Sequence, residues 1–324
     1  MTDVLCLRPE ADFARVDALP LQSISVAYRA PDSADVPQLI RAAKALVIPA
    51  VGPKLAPALF EGTALKLVQV TGAGLDRLDK DALLKAGIPV CNVPGGSNSA
   101  VAEYVLASAS MLLRRFARAD AEIKRGNYAA FRARLLADNL AGIEGLLVGV
   151  IGLGVIGAAV ARGFARTGCR ICYFDPEPQA RDAATSVGAQ SMPLDDLLRT
   201  ADVVTVHVPL LPATIGLIGA RELGLMKKGA VLIQAARGGI VDEQALAESL
   251  RSGHLGGAAV DVYSTEPPTA DNPLLQLDGE AAHRLLLTPH IAGVTRQSAA
   301  FLFRSAWQNV ERVLSGQAPL NRAF

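Results

Sequence analysis

Apolar residues in this chain come in short, mostly unbroken runs separated by stretches of helical spacing. In the first hundred residues the runs fall at 4–7, 24–28, 45–48, 66–70 and 90–92. Between them, VPQLIRAAK (36–44) and DKDALLKAG (79–87) space their apolar residues as amphipathic helices do. Aliphatic runs without polar alternation suit strands buried on both faces, and strand alternating with helix implies a parallel α/β unit. Near Asn98 the texture changes. SAVAEYVLASASMLLRR (99–115) predicts one long, largely buried helix capped by Asn98 or Ser99. Beyond Gly145 the alternation restarts, with runs at 147–151, 171–174, 203–206, 230–233, 258–262 and 285–288. Six such strands with helical crossovers are enough for a dinucleotide-binding sheet. Residues 296–314 form a closing amphipathic helix, and no repeat or low-complexity linker divides the chain. A length of 324 residues suits two domains.

Composition narrows the class. The chain is 51% hydrophobic but only 5% aromatic and 19% charged, so its core is aliphatic. Disordered, collagen-like and disulfide-built proteins are excluded. With 32 basic and 31 acidic residues, no electrostatic footprint for nucleic acid exists. The cysteines Cys6, Cys91, Cys169 and Cys172 are too few and too scattered for a disulfide framework. The spacing of Cys169 and Cys172 along one strand puts them on opposite faces, so packing is expected of them and no metal site. The opening MTDVLCLRPEAD shows no leader pattern. The uncharged run 145–161 contains five glycines and reads as strand, turn and helix, not as a membrane span. A soluble cytoplasmic protein without a membrane or nucleic-acid partner is expected.

The sharpest local signal is VGVIGLGVIG, which sets Gly152, Gly154 and Gly157 in G-x-G-x-x-G spacing between a strand and a helix. The first glycine permits the tight turn and the second lets backbone approach a pyrophosphate. The third lets helix and strand pack closely, with the phosphate at the helix N-terminus beside the amides of Val155 and Ile156. Asp175 follows 18 residues after Gly157, at the end of the next strand, where an acid can bind both ribose hydroxyls. Pro176 and Glu177 come next, so a 2′-phosphate meets repulsion. NAD is favoured over NADP.

Four further segments arrive in order: HVPLLPAT (207–214), AARGGIVDEQAL (235–246), AVDVYSTEPP (259–268) and LTPHIAGVT (287–295). With TGAGLDRLD (71–79) and SAVAEYVL (99–106), they resemble the D-isomer-specific 2-hydroxyacid dehydrogenases over essentially the whole chain. The resemblance implies a Rossmann-type doubly wound sheet, residues 99–290, inserted into a discontinuous flavodoxin-like α/β substrate domain, residues 1–98 and 291–324. It places the catalytic arginine, glutamate and histidine on Arg237, Glu266 and His290. A 2-oxo acid offers a carboxylate beside a ketone, which a guanidinium fork can hold. Hydride delivery needs a proton donor at the ketone oxygen, and a histidinium beside a carboxylate can supply it. By the same resemblance, Asp261 accepts from the nicotinamide carboxamide and Ala235, Ala236 and Arg237 line the cofactor. His207, Val208 and Pro209 wall its adenine side. Gly72, Ala73 and Gly74 offer a backbone nest for the substrate carboxylate. Ser97 or Asn98 reaches substrate, and the 99–115 helix with the following arm forms a homodimer interface.

Some positions depart from the family pattern. Val155 replaces the usual arginine of the glycine turn, and Gln234 stands where asparagine is common. Phosphoglycerate dehydrogenases tend to carry arginine after the third strand, where this chain has Pro49, with Lys54 as a displaced cation. That lowers the phosphoglycerate reading. Glu266 in place of glutamine lowers the formate or phosphite dehydrogenase reading. A non-catalytic NAD(H)-sensing protein like the C-terminal-binding corepressors is the alternative outside enzymes. The expectation is an NAD-dependent oxidoreductase acting on a small 2-oxo or D-2-hydroxy acid.

Overall fold

The computed structural model describes residues 2–178 and 180–324. Two compact units emerge, Met1–Ser97 with Val294–Phe324, and Asn98–Gly293.

The first unit holds five parallel strands: β1 (Val4–Cys6), β2 (Val26–Tyr28), β3 (Ala45–Ile48), β4 (Leu67–Val70) and β5 (Val90–Cys91). Their order is β2-β1-β3-β4-β5, which reverses direction between β1 and β3. The aliphatic runs form strands because both faces are covered. Leu5, Leu46, Ile48, Val68 and Val70 pack on one side with Ile40, Phe60 and Leu83. Val4, Cys6, Ala45, Val47 and Leu67 pack on the other with Phe13, Phe303, Trp307 and Val310. The helix Lys80–Lys85 starts where the Asp79 side chain accepts the Ala82 amide at 2.9 Å. The closing helix Arg296–Leu314 is capped in the same way by Thr295. Buried Gln69 and Asn309 satisfy each other through a 2.6 Å amide hydrogen bond.

The second unit carries seven parallel strands: β6 (Leu147–Ile151), β7 (Arg170–Phe174), β8 (Gln190–Ser191), β9 (Val203–Val206), β10 (Val231–Gln234), β11 (Gly257–Val260) and β12 (Leu285–Leu287). Their order, β12-β11-β10-β9-β6-β7-β8, is the doubly wound dinucleotide-binding arrangement with one added edge strand. The sequence predicts six strands. The seventh, β8, is two exposed polar residues without a hydrophobic signature. Cys169 and Cys172 do lie in different core clusters, on opposite sides of the sheet.

The long helix begins at Asn98 itself and runs to Leu113, so Ser99 lies inside it and the cap reading shifts by one residue. Arg115, with φ of 53°, then breaks the chain into two shorter helices, Phe116–Lys124 and Tyr128–Ala137. These bury only Phe131. They are fastened by Arg118 and Arg134, which both pair with Glu280 at 2.7 and 3.0 Å. No helix among the described residues is long and apolar enough to cross a membrane.

Candidate active site

The order of the second sheet reverses at β6 and β9, and the loops leaving their carboxyl ends meet. The Ile151 carbonyl accepts the His207 amide at 2.7 Å. Gly152, with φ of 88°, turns the chain so closely past β9 that a Cβ there would lie 2.7 Å from the His207 carbonyl oxygen. A Cβ on Gly157 would overlap the Gly152 carbonyl oxygen, whereas one on Gly154 would meet nothing within 4 Å. The turn is therefore closed on its packing side and open on the other. Helix Val155–Arg166 starts there without a side-chain cap, leaving its first amides, including those of Val155 and Ile156, free of side-chain acceptors. This is a cradle that fits a dinucleotide pyrophosphate. Asp175 stands beside it at the end of β7. One of its oxygens accepts the Leu153 amide at 2.7 Å and the other the Glu177 amide at 2.9 Å.

His207 is half-buried, and its Nε2 lies 2.8 Å from Thr205 Oγ1. Its Nδ1 is sealed from solvent without a partner, and burial pulls the imidazole down to about 3, so it is neutral. Val208 is half-buried and Pro209 exposed on the same segment.

Arg237, Glu266 and His290 follow β10, β11 and β12, three adjacent parallel strands. Their loops are locked together by close approach. A Cβ on Gly238 would overlap the Tyr263 carbonyl oxygen, so the Arg237 loop lies directly on the loop leading to Glu266. Buried Gln234 donates from Nε2 to the Arg237 carbonyl at 2.8 Å and accepts the Ala236 amide at 3.3 Å. That bracing is the physical use of the residue standing where asparagine is common. Arg237 is half-buried, with Nη1 donating to the Ala236 carbonyl at 2.7 Å. Ala236 is buried and Ala235 half-buried.

Glu266 accepts the Tyr263 amide on Oε1 at 3.0 Å, and its Oε2 lies 2.8 Å from His290 Nδ1. Glu243 braces the same loop by accepting from the amide and hydroxyl of Ser264 and from Asn272 Nδ2, at 2.6, 2.9 and 2.6 Å. His290 sits in left-handed conformation, with φ of 55°, which a non-glycine residue adopts only when its surroundings impose it. Asp261 does so. Its backbone carbonyl accepts the His290 amide at 2.8 Å. Its buried carboxylate accepts from Thr288 Oγ1 at 2.6 Å and from the Ile291 and Ala292 amides, both at 2.8 Å. Thr288 Oγ1 in turn lies 2.7 Å from the Tyr104 hydroxyl, and the Tyr263 hydroxyl donates to the Thr288 carbonyl at 3.0 Å. Burial pushes the Tyr263 phenol up to about 12, keeping it a donor. The Asp261 carboxylate thus fixes the His290 loop.

Gln234, Tyr104, Thr288, Tyr263 and Glu243 escape a reading of the sequence alone. Each acts through partners distant along the chain, and only the polar end of an otherwise aliphatic strand at Gln234 hints at a task. In the other unit, Gly72, Ala73 and Gly74 leave the carboxyl end of β4. Their backbone is held where the Val93 amide donates to Gly72 at 2.9 Å and Asn92 Nδ2 to Ala73 at 2.8 Å. Ser97 ends the first segment of that unit, and Asn98 opens the long helix of the second unit. Among the described residues no group of three or more His, Cys, Asp or Glu is placed to hold a metal ion.

Residues 106–292 match the family model for the D-isomer specific 2-hydroxyacid dehydrogenase, NAD binding domain. The chain belongs to that family, and NAD is the cofactor this domain takes. It is 39% identical over 234 residues to the D-3-phosphoglycerate dehydrogenase of Archaeoglobus fulgidus, covering 72% of this chain and 42% of that protein. It is 40% identical over 254 residues to the (S)-sulfolactate dehydrogenase of Chromohalobacter salexigens, covering 78% and 79% of the two chains. The crystal structure of TP0037 from Treponema pallidum, a D-lactate dehydrogenase, matches over 100% of both chains with a TM-score of 0.83 and 28% identity. The chain spans about half the length of the phosphoglycerate dehydrogenases it resembles.

Proposed function

We propose that the protein interconverts a small 2-oxo acid and its D-2-hydroxy acid with NAD(H). The observation that carries this reading is the 2.8 Å pair of Glu266 and His290 on loops locked to the one bearing Arg237. Bound NADH supplies a hydride to the ketone carbon. Arg237 holds the substrate carboxylate and ketone oxygen through its guanidinium fork. His290, with Nδ1 engaged by Glu266, gives the proton on Nε2 to the ketone oxygen, so that one hydride and one proton complete the alcohol. Glu266 holds the plane of the ring through that contact. Solvent restores the proton for the next turnover.

The proposal assigns substrate binding to residues 1–98 and 291–324, with Gly72, Ala73, Gly74 and Ser97 or Asn98 at the carboxylate, and NAD binding to residues 99–290. It includes a cytoplasmic homodimer. Exposed Phe116, Ile123, Tyr128 and Leu136 on the paired helices after Arg115 support that pairing. The deciding assay is NADH oxidation against glyoxylate, hydroxypyruvate, phosphohydroxypyruvate, sulfopyruvate, pyruvate and bulkier 2-oxo acids, repeated with NADPH. Turnover of at least one of them is expected, with NADH preferred. Tight NADH binding with no turnover of any would overturn the enzyme reading in favour of a sensor.

A further inference from the structure

In the first unit, strand order reverses between β1 and β3, and ligands of open parallel sheets bind outside the carboxyl ends at such a reversal. The loop leaving β3 there is Pro49-Ala50-Val51-Gly52-Pro53. It lies against the glycine nest that leaves β4, since a Cβ on Gly72 would come 2.8 Å from the Ala50 Cβ.

Behind this loop stands Arg77, only 3% exposed. Its Nε donates to the Pro53 carbonyl at 2.8 Å and its Nη1 to the Pro49 carbonyl at 3.0 Å. Its own carbonyl accepts the Leu55 amide at 2.9 Å. Gly52, with φ of 132°, rests on the guanidinium so closely that a Cβ would stand 3.2 Å from Cζ. Among the described residues the guanidinium meets these carbonyls and no acid, and its buried Nη2 has no partner. A buried guanidinium without an acid is costly, and a methionine would fill the space more cheaply. What only arginine offers is a rigid fork that reaches two carbonyls four residues apart.

We propose that Arg77 is a positioning residue for substrate selection, stapling the 49–53 loop so that it meets the group attached to the 2-oxo carbon. This rests on the dehydrogenase reading given above. The nest has its own anchors at Val93 and Asn92, so loss of the staple frees the loop and leaves the carboxylate site in place. A substrate without a side group should not notice the change, whereas one that carries a side group should.

The test compares glyoxylate, which has only hydrogen at that position, with hydroxypyruvate, in wild type, R77M, R77K and G52A. In R77M, KM for hydroxypyruvate should rise about tenfold or more, the scale of one lost charge-assisted hydrogen bond. For glyoxylate kcat/KM should stay within about threefold, and NADH affinity should not move. R77K keeps the charge but cannot span both carbonyls, so it should rescue only part. G52A pushes on the guanidinium while leaving it present, and should reproduce the selective loss even if R77M does not fold. Equal losses for both substrates, or an unchanged ratio in R77M and G52A, would overturn the proposal. Amide exchange gives an arm independent of turnover: residues 50–55 should exchange faster in both variants than in wild type, and equal protection refutes the staple. A wild type that reduces none of the 2-oxo acids in the panel above, with exchange at 50–55 still rising in the variants, would fault the dehydrogenase reading and spare the staple.

Discussion

Oε2 of Glu266 stands 2.8 Å from Nδ1 of His290, and the other carboxylate oxygen is held by the Tyr263 amide. With both oxygens committed, the imidazole has one orientation and only Nε2 left for chemistry. Replacing His290 with alanine should lower kcat by roughly 10²–10⁴ while NADH binding, followed by fluorescence, barely changes. Glu266→Gln keeps a hydrogen-bond acceptor but removes the charge, and should cost about 10–100-fold in kcat. Undiminished turnover in H290A would remove the histidine from the mechanism.

The third and second glycines of the turn predict phenotypes that differ in stability. Gly157→Ala forces a Cβ onto the Gly152 carbonyl and should destabilise the fold by about 1–3 kcal/mol as well as weaken NADH binding. Gly154→Ala has open space and no unusual backbone, with φ of −66°, so its denaturation midpoint should match wild type. Its NADH affinity should still fall, because the added methyl faces the side where the pyrophosphate must approach. Equal NADH affinity in G154A and wild type would mean that the dinucleotide does not use this turn.

Asp261→Asn should show how far the left-handed conformation of His290 depends on its neighbour. The amide can retain one acceptor oxygen, but its NH₂ opposes the Ile291 or Ala292 amide, both of which now donate to the carboxylate. A buried donor left without an acceptor costs about 1–3 kcal/mol. The expected outcome is a lower urea midpoint together with a fall in kcat, because the His290 loop loses its frame. A fall in NADH affinity with stability intact would instead point to the nicotinamide contact as the main task of Asp261.

His207 should mark the acid side of the stability curve. Folded, its imidazole resists protonation down to about 3, while in the unfolded chain it takes up a proton near 6.5. The unfolded state therefore binds the extra proton as pH falls below 6.5, and stability drains away from there toward 3. Above neutrality the residue is neutral in both states and contributes no slope. His207→Asn should flatten the fall in urea midpoint between pH 7 and pH 4.5. An unchanged slope would show that another group governs it.

The legible parts of this chain are those in which one residue answers to a local rule. Aliphatic runs announce the strands because parallel sheets are covered on both faces, and Gly152 and Gly157 are spaced by close approaches that any side chain would block. The order Arg237, Glu266, His290 is readable by resemblance, each lying on the loop that leaves a recognisable strand. The illegible parts depend on distant partners. Nothing near Tyr104 announces a hydroxyl beside Thr288, 184 positions away, and nothing near Gln234 says that its amide will brace an arginine loop. The break at Arg115 is equally silent, since the following helices bury almost nothing and rest on the clasp of Arg118, Arg134 and Glu280.

The helix Arg296–Leu314 covers one face of the first sheet with Phe303, Trp307, Val310 and Val313, beside strands that begin at Val4. Synthesis proceeds from the other end. When Ser97 has emerged, the first sheet has all five strands but lacks half its cover, and the 196 residues from Asn98 to Gly293 must be made before that cover arrives. At ribosomal speed this is a wait of roughly 10–40 seconds. During it, Val4, Cys6, Val47 and Leu67 form an uncovered apolar surface on the nascent chain. The inserted dinucleotide unit, contiguous in sequence, has its whole core in hand first. The unit whose strands are made first is therefore the last to finish folding.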